Sequence, residues 1–262
     1  MKSGFDLEGR IVVITGGAGL VGRGFVRSVI ENGGTAVIAD IDESSGKKVQ
    51  ADLVTELGTD RIEFIRVDIT SRESIRAMID TILDRHGTID ALVNNAYPRN
   101  RNYGRKFEDV TYEDFCENMN LHLGGYFLMS QEISRIMVGQ KRGVIVNIAS
   151  IYGFMAPRFD LYEDAGFTSP VEYSAIKGGL LSLTKYLASY LGKHGIRVNA
   201  MSPGGVHDNQ PESFVAKYCA KTLTGNRMAE PDDLSGALAF LLSDASRYVT
   251  GQNIVVDGGW SI

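Results

Sequence analysis

Short runs of Val, Ile, Leu and Ala alternate along this chain with longer stretches whose apolar residues fall three and four positions apart. The short runs predict strands at 10–15, 35–40, 62–67, 90–93, 144–149, 196–201 and 253–256. They are almost continuously apolar, as strands covered on both faces of a parallel sheet are. The longer stretches predict helices at 20–32, 43–57, 71–86, 111–139, 171–194 and 231–243. Local signals agree: Thr111 and Asp114 resemble a capping box, Pro231 opens a helix with Asp232 and Asp233 in its first turn, and Gly33, Gly58 and Gly87 follow helix ends. Strand–helix alternation from end to end implies an α/β fold, a doubly wound, seven-stranded parallel sheet with helices on both faces. No linker or repeat interrupts it, so residues 1–262 are expected to form one domain. The segment 153–170 is long and mixed for a loop, a length that usually serves function.

Composition narrows the classes. The 262 residues carry a formal net charge of −5, which gives no basic surface for nucleic acid. No apolar run is long enough for a membrane span, and the first ten residues do not read as a signal peptide. Cys116 and Cys219 lie far apart without metal-type neighbours and read as two reduced thiols. The expectation is a cytoplasmic protein with no metal, acting on a small molecule.

The first predicted strand runs into a turn holding Gly16, Gly17, Gly19 and Gly22, and a helix follows. Glycines there let a pyrophosphate approach free N–H groups at the helix start. Asp40 ends the next strand, close to the spacing expected of a ribose-binding acid. The combination points to a Rossmann-like dinucleotide site. A carboxylate at 40 accepts from a ribose 2′-hydroxyl and repels a 2′-phosphate, and no Arg or Lys stands at 41–46, so NAD is the expected cofactor. Asp42 reads as the cap of the next helix, and Asp68, after the third strand, as an acid within reach of the adenine.

Tyr173 and Lys177 stand four apart near the start of a predicted helix, hence on one face. An ammonium beside a phenol stabilises the phenolate and makes it a general acid/base nearer neutrality. Ser150 ends the fifth strand, at the sheet edge where ligands bind.

Together these segments resemble the short-chain dehydrogenases/reductases. The resemblance runs from Leu7 to Gly259 through the glycine turn, Asn94–Asn95–Ala96, Val146–Ser150, Tyr173 with Lys177, Ser202–Pro203–Gly204 and Val256–Gly259. It implies hydride transfer between nicotinamide and a carbon bearing a hydroxyl or keto group. By resemblance Tyr173 moves the hydroxyl proton, Ser150 positions the oxygen and Lys177 also holds the nicotinamide ribose. The candidate cofactor set is Gly16, Gly19, Leu20, Val21, Gly22, Asp40, Ile41, Asp68, Ile69, Asn95, Ala96, Tyr173, Lys177, Pro203, Gly204 and Val206. Family members commonly pair through long helices, which implies a homodimer or homotetramer built on 111–139 and 171–194.

Three features depart from the family pattern. The glycines are spaced as in sugar-nucleotide epimerases and dehydratases. His122, not asparagine, stands five residues before Phe127, with Asn120 two positions away, and is expected near Lys177 as a fourth catalytic group. Ser150 and Tyr173 are further apart than usual, by the length of the odd segment. Two other readings follow: an epimerase or dehydratase, disfavoured because the chain ends after Gly258 and Gly259 without a substrate domain, and a silent NAD-binding scaffold, disfavoured by the intact Ser150, Tyr173 and Lys177. The loop after the fourth strand carries Tyr97, Arg99, Arg101, Tyr103, Arg105 and Lys106. With Arg158 opposite, it predicts a polar, anionic, sugar-like substrate held by Tyr97, Arg99, Arg101 and Arg158. The 205–225 region, with His207, Asp208, Asn209 and Gln210, offers little apolar surface for a steroid.

Overall fold

The computed structural model describes residues 4–262. The first three residues of the opening segment, read above as no signal peptide, lie outside the described residues. Seven strands form one parallel sheet in the order β3-β2-β1-β4-β5-β6-β7. They are β1 Ile11–Thr15, β2 Thr35–Asp40, β3 Ile62–Arg66, β4 Ala91–Asn94, β5 Gly143–Ile148, β6 Ile196–Pro203 and β7 Asn253–Val256. The order reverses between β1 and β4, so the crevice at their C-terminal ends is the switch point at which such sheets bind ligands.

Alternate side chains of each strand feed two separate cores. Ile11 and Val13 of β1 join one, Val12 and Ile14 the other. On the second face pack α1 Leu20–Glu31, α2 Glu43–Leu57 and α8 Ser235–Leu242, through Phe25, Val29, Leu53, Leu238 and Leu241. On the first pack α3 Arg72–His86, α5 Gly125–Gln140 and α6 Val171–Leu191, through Ile75, Ile82, Met129, Ile133, Ile176 and Leu180. This two-sided burial explains why the strands read as unbroken apolar runs.

Three expected helices differ in detail. The 111–139 helix is α4 Tyr112–Met119, a π-helical turn Asn120–Gly124, and then α5. The 171–194 helix ends its α-helical part at Leu191 and finishes in a 3-10 turn, and the 231–243 helix begins with a 3-10 turn Pro231–Leu234. One helix was not expected: α7 Glu212–Cys219, whose Phe214 and Tyr218 are buried. Their i, i+4 spacing after Pro211 is the signal that would have found it. They join Tyr152, Leu161, Met228 and Trp260 in a third apolar cluster over the C-terminal edge of the sheet. Among the described residues no helix is long and apolar enough to cross a membrane, and no cluster of three or more His, Cys, Asp or Glu has metal-site geometry.

Candidate active site

A cavity of about 990 Å3 opens along the C-terminal ends of the strands. Its first half is built on the glycine turn. Gly16 has φ +63°, and a Cβ there would stand 2.7 Å from Ala96 Cα. A Cβ on Gly22 would run into the Gly16 carbonyl oxygen. Gly19 precedes α1 with no side-chain cap, which leaves the first-turn N–H groups for a ligand. Asp40 braces this turn from β2: its Oδ2 accepts from Ala18 N–H at 3.1 Å and its Oδ1 from Asp42 N–H at 3.2 Å. From the other side Asn95 donates its amide to the Thr15 and Gly16 carbonyls at 3.0 and 3.1 Å. Thr15 Oγ1 accepts from the backbone N–H groups of Asn95 and Ala96 at 2.9 and 3.1 Å. Gly16, Gly19, Leu20, Val21, Gly22, Asp40 and Ile41 all line the cavity. So do Asp68, Ile69, Asn95, Ala96, Pro203, Gly204 and Val206. The turn, with its uncapped helix start and the crowding that excludes side chains, fits a dinucleotide.

Ser150, Tyr173 and Lys177 meet at the middle of the cavity. Ser150 caps the turn after β5, accepting from Tyr152 N–H at 3.2 Å. Gly153 packs so closely on Lys177 that a Cβ would stand 2.7 Å from its carbonyl oxygen, which brings the Ser150 turn onto α6. Burial pushes the Tyr173 phenol up, and its hydrogen bond with Ser150 pulls it partly back. Lys177 is buried, and burial brings its amine down to about 7. Its Nζ donates to the Ile148 carbonyl at 2.8 Å and lies 5.5 Å from the Tyr173 ring centre. Burial is the largest influence on the phenol, and the Lys177 amine is turned to the carbonyl that ends β5.

His122 is fully buried in the π turn. Its ring stands 5.2 Å from that of Tyr97 and 5.0 Å from that of Tyr126, and neither ring nitrogen has a protein hydrogen-bond partner. Burial and then the charge of Lys177 hold its pKa well below the usual imidazole value. It lies behind the cavity wall, whereas Asn120 is exposed on the outer face.

The second half of the cavity differs from the expected cationic lining. Tyr97, Arg99, Arg101 and Arg158 are all exposed, but only Tyr97 and Arg99 line it. Long charged side chains on an open loop turn to water unless something holds them inward. Arg105 is taken by Asp114 at 3.4 Å. The walls are aromatic instead: Tyr103, Tyr152, Tyr162, Phe167, Phe214 and Tyr218. Tyr162 and Phe167 come from the odd segment and pack on Phe214 of α7, each with ring centres 5.3 Å from it. Lys217 to Asp164 at 3.0 Å and Lys221 to Asp160 at 3.1 Å tie the two pieces together outside. The reading of the 205–225 region as poor in apolar surface is thus corrected, since Phe214 and Tyr218 stand on a helix that faces inward.

Comparison with known proteins identifies this arrangement. A family model described as enoyl-(acyl carrier protein) reductase matches residues 17–261. The chain belongs to the short-chain dehydrogenase/reductase family, a family of oxidoreductases. It is 39% identical to post-translational flagellin modification protein A of Campylobacter coli, over 98% of this chain and 100% of that protein. It is 34% identical to 7alpha-hydroxysteroid dehydrogenase of Bacteroides fragilis, over 97% of this chain and 95% of that one. Among solved structures, a short chain dehydrogenase of Leptospira borgpetersenii with bound NAD+ superposes with TM-score 0.87 at 35% identity, covering 100% of this chain and 97% of that one. A gluconate 5-dehydrogenase of Burkholderia cenocepacia in complex with NADP and tartrate gives TM-score 0.86 at 29% identity, over 98% and 97%.

Proposed function

We propose that the chain is an NAD-dependent dehydrogenase/reductase that interconverts a secondary alcohol and a ketone on a small, polar, anionic, sugar-like molecule. The observation that carries this is one continuous cavity with the braced glycine turn and Asp40 at one end, Ser150, Tyr173 and Lys177 at its middle, and Arg99 among aromatic walls at the other.

When bound, the nicotinamide supplies or accepts the hydride. Gly16, Gly19 and Gly22 admit the pyrophosphate, and Asp40 accepts from the adenosine ribose hydroxyls. Asp40 also lacks a neighbouring cation at 41–46 to offset a 2′-phosphate, which supports NAD over NADP. Ser150 holds the reacting oxygen by a hydrogen bond. Tyr173 Oη takes the hydroxyl proton in oxidation and returns it in reduction. Lys177 Nζ, turning from the Ile148 carbonyl, holds the nicotinamide ribose and favours the phenolate of Tyr173. His122, beside Lys177 and neutral, is the proton carrier behind it. Arg99 offers a planar fork to a carboxylate or phosphate, and Tyr97, Tyr162 and Phe214 offer faces to a ring. The whole chain serves as one domain, acting in the cytoplasm. It pairs into a dimer or tetramer through α5 and α6, where Phe127, Tyr186 and Tyr190 are exposed.

The test is a screen for NAD+ and NADP+ reduction with matched alcohols: galacturonate against galactose, gluconate against sorbitol, and a 7α-hydroxysteroid. Preference for the anionic member of each pair, with KM rising at least about tenfold in Arg99→Ala, is expected, a loss of ~1.4 kcal/mol. A second reading, a neutral polycyclic alcohol, is favoured by the aromatic walls and by similarity to the hydroxysteroid enzyme. If the steroid is the best substrate and Arg99→Ala keeps its KM, the anionic reading is wrong.

A further inference from the structure

Arg99 is exposed, like Arg101 on the same loop, but it lines the cavity, its guanidinium carbon 5.1 Å from the Tyr97 ring centre, whereas Arg101 does not line it. Beneath the loop runs a seam of buried polar side chains. Asn118, fully buried on α4, accepts from the Asn100 backbone N–H at 2.9 Å. Its own amide donates to Asn100 Oδ1 and to Glu172 Oε1, both at 3.3 Å. Asn100 in turn donates to Asp114 Oδ1 at 2.8 Å and Glu117 Oε2 at 2.7 Å. Glu172 is itself buried, one residue before Tyr173 in the first turn of α6, and its Oε2 has no hydrogen-bond partner.

A partly buried backbone N–H in a non-helical loop is stabilised by a fixed acceptor, because losing it leaves the donor unsatisfied. Asn118 supplies that acceptor at the residue after Arg99. That bond fixes the loop at the residue after Arg99, whose guanidinium packs on Tyr97 at the cavity wall. Through Glu172 the same side chain ties the loop to the turn of α6 that carries Tyr173.

We propose that Asn118 and Asn100 are positioning residues for substrate charge: they aim Arg99 at the anionic group and set its place relative to Tyr173. The inference rests on the anionic reading above, and the experiment separates the two. Galacturonate and galactose, one ring with and without a carboxylate, are titrated calorimetrically into the NAD+-loaded protein. Arg99→Ala should weaken galacturonate at least about tenfold and leave galactose unchanged. Asn100→Ala should weaken galacturonate several-fold, again sparing galactose and NAD+, and should add nothing in the Arg99→Ala background, since residues that act through one another do not add. Asn118→Ala is measured in the same way. If that buried variant does not fold, the half-buried Asn100 carries the test alone. Additive losses, or equal losses for both sugars, overturn the positioning role and leave Arg99 as a recognition residue. No effect of Arg99→Ala on galacturonate overturns the anionic reading and the inference together.

Discussion

Asp40 carries two interactions on one carboxylate, a brace to the glycine turn at Ala18 and a contact in its own loop at Asp42. It lines the cavity wall, and under the proposed NAD dependence it is the residue that would choose the cofactor. Asp40→Ala should narrow the preference for NAD+ over NADP+ by at least about tenfold, or ~1.4 kcal/mol. It also loosens the turn, so both affinities should fall somewhat. Equal affinities in the unsubstituted protein, from fluorescence titration, would dispose of the assignment. Tyr173→Phe removes a single oxygen from a side chain whose ring packs at 5.8 Å on Tyr97 and 6.5 Å on Tyr152. The ring stays, so NAD+ affinity should hold while turnover drops at least about a hundredfold. A variant keeping a tenth of the activity would show that the proton leaves by another group.

At the scale of elements, α6 divides its faces. Ile176, Leu180 and Leu187 enter the core, Tyr173 and Lys177 the cavity, and Tyr186 and Tyr190 the outer surface. These two rings stack at 6.1 Å and remain more than half exposed. Exposed neighbouring aromatics on a long helix fit an interface between copies of the chain. Light scattering should give a dimer or tetramer. Tyr186→Asp combined with Tyr190→Asp should shift it toward smaller species with the sheet's circular dichroism intact. A monomeric parent protein would refute the pairing. The π turn between α4 and α5 is the other decisive element. It sets His122 inward and Asn120 outward, so the imidazole, not the amide, stands behind Lys177.

At the scale of the molecule, two buried bases sit in one aromatic setting formed by Tyr97, Tyr126 and Tyr173. Their pH effects have the same sign. His122 stays neutral in the fold while the unfolded chain takes up a proton below about 6.5, so stability falls as pH drops through that range. Lys177 sheds its proton near 7, whereas the unfolded lysine keeps its own up to 10.5, so stability rises with pH between those values. The cofactor-free protein should therefore gain Tm from pH 5 to 9. His122→Asn should flatten the lower part of that rise and Lys177→Met the upper part. The raised tyrosines oppose the trend only above the ordinary tyrosine value of 10.0, where the unfolded chain ionises first. A Tm that falls between pH 7 and 9, with Lys177→Met showing the same fall, would remove the buried amine as its cause.

Sequence alone determined the parallel sheet and its seven strands, because burial on both faces writes itself into the central strands as apolar runs. It also determined the glycine turn, Asp40 and the Tyr173–Lys177 face, because spacings of four to about twenty residues are local and survive any packing. Tertiary structure decided the rest. Arg99 and Arg101 are indistinguishable by type and spacing, and only the folded loop sets the first over Tyr97 at the cavity wall and the second outside it. Tyr162 and Phe214 stand more than fifty residues apart in the chain, and only their packing makes an aromatic wall from a loop and a short helix. The facing of His122 depends on one π turn, which periodicity at 3.6 residues does not register. The phenol of Tyr173 answers to burial by several elements at once, a quantity that no neighbouring residue in the sequence encodes.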